Sequence, residues 1–108
     1  MSERISDERI VRLLGLAAKA GKLVYGTDMV CEGLRVKKRI LLVVESGDSS
    51  ENTHKRIVDK CAYYGAKHIR LSLGTDGLGA ALGKHGGIAV VGVTDASFAA
   101  GIGSLIHE

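Results

Sequence analysis

The feature that most constrains this chain is a repeated change in the period of its apolar residues. Residues 40–45 (Ile-Leu-Leu-Val-Val-Glu) and 88–93 (Ile-Ala-Val-Val-Gly-Val) are nearly unbroken apolar runs rich in β-branched side chains, which read as strands buried on both faces. Around them the apolar residues recur at helical spacing. Ile10, Leu13, Leu14, Ala17 and Ala18 form one such stripe behind Ser6, Asp7 and Glu8, a predicted N-cap with acidic first-turn residues, and Gly21 stops that helix. Residues 23–25 read as a short strand, and Thr27 or Asp28 is the expected cap of a second helix reaching about Val36.

The rest of the chain repeats the alternation. Gly47, Asp48, Ser49 and Ser50 form a loop whose last serine can cap a third helix, with Ile57, Val58, Cys61 and Tyr64 on one side and Gly65 at its end. A strand over 68–73, a short glycine-rich helix over 75–82, the 88–93 strand and a last helix over 96–106 follow, the last with Phe98, Ile102 and Leu105 inward. Helix first, then strand and helix in turn, predicts a three-layer α/β/α sandwich on about four strands, because parallel pairs need helical crossovers and both sheet faces need cover. With 108 residues, 45% of them hydrophobic, and no linker or repeat, residues 1–108 are expected to form a single domain.

Composition narrows the function classes. The longest apolar stretch falls far short of the roughly 20 residues that cross a bilayer, and acidic residues stand where a signal peptide would be basic, so a cytoplasmic protein is expected. Cys31 and Cys61 fall in helical patterns with no second cysteine or histidine at ligand spacing, and read as buried free thiols. His54, His68, His85 and His107 are scattered; neither a metal site nor a bound cofactor is evident. The chain is mildly basic, at a formal charge of +3, but eleven Lys or Arg stand against six Asp or Glu between Lys19 and Arg70. That local excess suits a polyanion.

Catalytic motifs nearly match and fail. Gly79-Ala80-Ala81-Leu82-Gly83-Lys84-His85 has three residues between its glycines where a P-loop has four, and His85 replaces the magnesium-binding Ser or Thr. Gly77-Leu78-Gly79 continues to Leu82 where a dinucleotide fingerprint needs Gly or Ala. Ser46, Ser49 and Ser50 lie near Glu45 and Asp48, but without a nucleophile elbow or a histidine with an evident orienting partner. The reading is a binding protein, not an enzyme. The binding surface is placed where strands meet helices: the Gly26 junction, the 45–52 loop and the 83–87 loop, with Lys22 and Lys84 alongside. An exposed helix N-terminus with a glycine at its entry offers free N–H groups and partial positive charge to a phosphate.

At these residues the chain resembles the superfamily of ribosomal and small-ribonucleoprotein proteins that bind kink-turn RNA, most closely its small bacterial ribosomal-protein-like members. Gly21-Lys22-Leu23-Val24-Tyr25-Gly26-Thr27-Asp28-Met29-Val30 is similar to the family's Gly-Lys-x-x-x-Gly-x-Asn-Glu-x segment. The blocks Ser50-Glu51-Asn52-Thr53-His54-Lys55, Asp59-Lys60-Cys61-x-Tyr63-Tyr64 and Leu78-Gly79-x-x-x-Gly83-Lys84 resemble the bacterial branch. The resemblance implies a mixed sheet and a ribosome-associated protein. Its partners would be structured RNA, ribosomal RNA first, together with ribosomal or translation-associated proteins.

It also implies a site. Lys22, Gly26, Thr27 and Lys84 would contact phosphates, Asp28 a base, and the wall would come from Lys84, His85, Gly86, Gly87 and Ile88, with Lys37, Lys38 and Arg39 supplying general attraction. Where the family uses Asn and Glu to read guanine edges at sheared G·A pairs and a lysine one turn later, this chain has Asp28, Met29 and Glu32. Those acids are expected to repel phosphate, and the same three replacements suit an alternative, a protein-interaction module that has lost RNA recognition. Tyr25 is the one evident stacking candidate.

Overall fold

The computed structural model describes residues 2–36 and 39–106, and the side chains from Asp7 onward within them. Lys37, Lys38 and His107 lie outside the described residues. The elements run α1 (Ser2–Lys19), β1 (Leu23–Tyr25), α2 (Thr27–Arg35), β2 (Leu42–Glu45), α3 (Glu51–Tyr64), β3 (Lys67–Arg70), α4 (Thr75–Ala81), β4 (Val90–Val93) and α5 (Ala96–Leu105). The sheet order is β1-β4-β2-β3. The strand β2 is parallel to β3 and antiparallel to β4, and β4 is antiparallel to β1, so the sheet is mixed.

Strand alternation assigns the layers. Leu42 and Val44 of β2 and Val91 and Val93 of β4 pack with Ile10 and Leu14 of α1, Leu78 of α4 and Ile102 of α5. Their neighbours Val43 and Val90 face the other way, onto Val30 and Leu34 of α2 and Ile57 and Cys61 of α3. Helices therefore cover both faces, and β2 and β4 are buried throughout, as their unbroken apolar runs predict. Ile40 fills the space between α2 and β4, where bare backbone admits it. A Cβ on Gly33 would lie 2.4 Å from Ile40 Cδ1, and one on Gly92 2.8 Å from it.

Several boundaries differ from the sequence reading, each for a local reason. The helix α1 starts at Ser2, ahead of the expected Ser6 cap; Asp7 instead accepts hydrogen bonds from the Ser72 and Leu73 N–H groups, at 2.7 and 3.3 Å, tying α1 to the β3–α4 loop. Strand β3 ends at Arg70: the Leu71 N–H still bonds to the Glu45 carbonyl, but the chain then bends at Ser72 and Leu73, where the Leu73 carbonyl accepts from the Gly47 N–H. Ile88 lies before β4 because its N–H is taken by the Thr75 carbonyl. Val58 is half exposed, leaving Ile57 and Cys61 as the buried stripe of α3. The predicted caps at Ser50, which accepts from the Thr53 N–H, and at left-handed Gly65 are present. No described helix is long and apolar enough to cross a membrane.

Candidate functional site

Strand directions decide which loops can share a surface. Register places Tyr25 opposite Val91, Glu45 opposite Val90 and Arg70 beside Glu45, so the exits of β1, β2 and β3 and the entrance of β4 lie at one end of the sheet. The Gly26 junction, the 46–50 loop and the 83–89 loop are thereby gathered along one rim. They meet in contact: the Lys84 ammonium stands 4.3 Å from the centre of the Tyr25 ring, one residue before Gly26. The two glycine junctions of the sequence converge.

The α2 start is bare. Its N-cap is Gly26, not Thr27 or Asp28; at φ 94° and ψ 149° it adopts a backbone that L side chains rarely take, and no side chain caps the helix. The Gly26 N–H is held by the Val90 carbonyl at 3.0 Å, which fixes the turn to the sheet. Asp28 is exposed but not alone, for Arg56 of α3 donates to its Oδ1 at 2.8 Å. Glu32 is likewise bridged by Arg35. Their carboxylates therefore carry their own counter-charges, which offsets the expected repulsion of phosphate. Met29 between them is 59% exposed.

The opposite wall is set by backbone packing. A Cβ on Gly79 of α4 would come within 2.9 Å of Gly87 Cα, so helix and loop touch main chain to main chain. Gly83, Gly86 and Gly87 all have positive φ, which gives the 83–87 loop its curl. Lys84, His85, Gly86 and Gly87 are exposed, whereas Ile88 is buried in the core and anchors the loop from beneath. Tyr25 is half-buried, and the Lys84 ammonium lies over its ring. Lys22 stands apart: its carbonyl binds Thr94 at the far end of β1, about 13 Å of strand from Gly26. In its place Arg12, Lys19 and Lys84 line a hollow of about 650 Å³ beside Tyr25.

A second constellation lies under the same rim. Glu45 is fully buried at the end of β2, and its Oε1 receives His54 Nδ1 at 2.8 Å and His68 Nε2 at 2.7 Å. Its Oε2 accepts from the Ser49 hydroxyl and faces Arg70 Nε at 3.6 Å. Burial pushes this carboxyl up, but the hydrogen bonds of Ser49, His54 and His68 and the charge of His54 outweigh it and hold it below the ordinary glutamate value. The four histidines are therefore not all scattered. Two of them have an orienting partner that separations of 9 and 23 residues concealed.

Cys31 and Cys61 are buried and free. Burial, with Cys31 and Glu45 nearby, pushes the Cys61 thiol up to about 11.

Comparison with known proteins places this architecture. The sequence profile of the Ribosomal protein L7Ae/L30e/S12e/Gadd45 family matches residues 8–101. The chain is 40% identical over 94 residues to the "RNA-binding protein YlxQ" of Bacillus subtilis, covering 87% of this chain and 91% of that protein. It is 39% identical over 57 residues to the protein of the same name from Enterococcus faecium, covering 53% and 54%. Among solved structures, a Bacillus halodurans protein of unknown function superposes with a TM-score of 0.84 at 35% identity, covering 92% of this chain and 97% of that one. The Giardia lamblia 15.5kD RNA binding protein superposes with a TM-score of 0.81 at 12% identity, covering 94% and 85%, a likeness of fold.

Proposed function

We propose, from the premise that the chain belongs to the Ribosomal protein L7Ae/L30e/S12e/Gadd45 family, that it is a non-enzymatic, ribosome-associated protein of the cytoplasm that binds structured, kink-turn-like RNA. The observation that carries this reading is the convergence at Tyr25. Lys84 brings the glycine loop against the uncapped start of α2, so bare N–H groups and a cationic wall face one ligand. A sugar-phosphate backbone fits such a surface, which follows shape and charge. The names of the Bacillus and Enterococcus relatives support RNA as the partner.

Roles within the site follow from position. Gly26, its own N–H taken by Val90, lets a phosphate approach closely, Thr27 offers its backbone N–H, Lys84 its charge, and Asp28, held by Arg56, an acceptor for a guanine N1 or N2. The residues His85, Gly86 and Gly87 form the wall, and Ile88 supports it from the core. Lys22, at the far end of β1, contributes only general attraction.

Binding to ribosomal RNA fragments across a salt series tests this, with a kink-turn whose G·A pairs are intact or disrupted. Binding lost with the G·A pairs is the expected result, and it makes Asp28 the base reader. Salt-sensitive binding indifferent to the pairs reduces the protein to a reader of shape and charge. Lys84→Ala should lower the slope of log affinity against log salt by about 0.7–0.9, the contribution of one phosphate contact. An unchanged slope would remove this surface from the RNA interface.

A second reading is favoured by Met29. An exposed methionine at the helix start, flanked by two acids, suits an adaptable protein contact. A partner protein recovered after nuclease treatment, with no RNA binding at low salt, would replace the RNA reading with this one.

A further inference from the structure

We propose that Glu45, His54 and His68 form a binding site for one borderline divalent transition-metal ion of the Zn²⁺ and Co²⁺ type. The set comprises two imidazoles and one carboxylate, a donor combination that suits these ions. The three side chains come from the end of β2, the first turn of α3 and β3, and their ligand atoms all lie within 4.8 Å of one another.

The geometry is close to what an ion needs. Metal–ligand bonds of about 2.0–2.2 Å at tetrahedral angles put ligand atoms roughly 3.3 Å apart. The imidazole nitrogens are 2.8 and 2.7 Å from Glu45 Oε1. Opening each contact by about half an ångström makes room, a movement within the reach of small side-chain rotations. Facing the carboxylate, each imidazole donates an N–H. An ion would take those nitrogens as lone-pair donors, while the outer nitrogens carry the protons. The imidazole side chains of His54 and His68 are 35% and 19% exposed, so water reaches both side chains while Glu45 stays buried beneath them.

Ser49 and Arg70 face Glu45 Oε2 and the two imidazoles face Oε1, so the four groups fill the acceptor positions of the buried carboxylate. One ion bound between Oε1 and the two ring nitrogens would take the place of both N–H donors and make a three-ligand set. Ser49 and Arg70 then act as outer-shell groups that aim the carboxylate. The Arg70 charge opposes a cation, so the affinity expected is below that of a closed structural zinc site.

The test uses the full chain stripped of metal with a chelator. Cobalt is the probe, because its visible absorption reports ligand geometry. A one-to-one titration with a visible band of low-coordinate Co²⁺, displaced by Zn²⁺, together with a rise in Tm, is expected. His54→Ala and His68→Ala should each weaken binding by more than the roughly 10–100-fold that losing an outer-shell partner costs, and Ser49→Ala should fall within that range. His85→Ala should leave cobalt binding as it is in the wild-type protein.

Absent binding, or binding retained by both His54→Ala and His68→Ala, overturns the site. Should either variant fail to fold, ring nitrogen shifts of His54 and His68 in the wild-type protein decide: both move on adding Zn²⁺ if the site exists, and neither moves if it does not. RNA affinity of the metal-free protein is a separate readout, so failure here leaves the RNA reading untouched.

Discussion

The rim at Gly26 and the cluster at Glu45 stand at the same end of one sheet and are built in opposite ways. The rim is made of backbone: an uncapped helix start, three positive-φ glycines in the 83–87 loop, and a helix that touches that loop main chain to main chain at Gly79. Asp28, Met29, Lys84 and His85 are exposed on it, and Lys84 rests on a neighbour without being locked by it. The cluster is made of side chains, with a fully buried carboxylate surrounded by Ser49, His54, His68 and Arg70. A surface that must admit a ligand keeps its polar groups unspent. A buried charge must be supplied with partners before the chain can fold around it.

The sharpest way to break this contrast is to remove the central group of each region. Glu45→Ala takes away the acceptor shared by two imidazoles, a hydroxyl and a guanidinium. Such a loss should cost about 3 kcal/mol or more, a fall in Tm on the order of 10 °C. Lys84→Ala should leave Tm unchanged while weakening RNA binding. Thermal unfolding followed by circular dichroism checks both, and equal Tm losses in the two variants would erase the distinction.

A smaller effect probes the rim's backbone. In Gly79→Ala the added methyl meets Gly87 Cα, N and C at 2.9–3.3 Å, and main chain cannot rotate aside as a side-chain end can. A cost of about 1–3 kcal/mol is expected, with the 83–87 loop displaced and RNA affinity reduced beyond what lost stability explains. Gly15→Ala is the matching control in the middle of α1. Nothing lies within 4 Å of its added methyl, so helix propensity alone acts and the protein gains about 0.5–1 kcal/mol. A destabilised Gly15→Ala would mean that the surface beside Tyr25 is packed more tightly than the structure shows.

The same contrast explains what could be read from the sequence. Periodicity disclosed the layers because residues 40–45 and 88–93 are apolar on both faces, and Ser50 and Gly65 bounded α3 through local capping rules. The rim was legible because glycines and a lysine mark it within short segments. Whether its halves met was not legible, since that depends on β4 running antiparallel beside β1. Sequence distance also hides how far Lys22 stands from Gly26: only four residues part them, but those residues are extended as strand β1. The cluster left no local signal at all. Glu45, His54 and His68 belong to three elements, and only the parallel register of β2 with β3 sets His68 and Arg70 on the same face as Glu45.

The least effect on stability, and the finest test of the contrast, is expected at the Asp28 and Arg56 pair. It joins a carboxylate to a cation, as the cluster does, but Asp28 is 88% exposed and Arg56 47%. Water solvates both groups with or without the bond, so Arg56→Ala should leave Tm unchanged within error, unlike Glu45→Ala. Its consequence should fall on RNA instead. Losing the guanidinium removes a cation from the start of α2 and leaves Asp28 facing phosphate with its charge unanswered. Affinity should drop, and Asp28→Asn in the Arg56→Ala background should restore part of it, because the amide removes the repulsion while keeping an acceptor. Salt-dependent titrations of the two variants check this directly. If Asp28→Asn lowers affinity further, the carboxylate itself is the group that reads the RNA, and Arg56 serves to aim it.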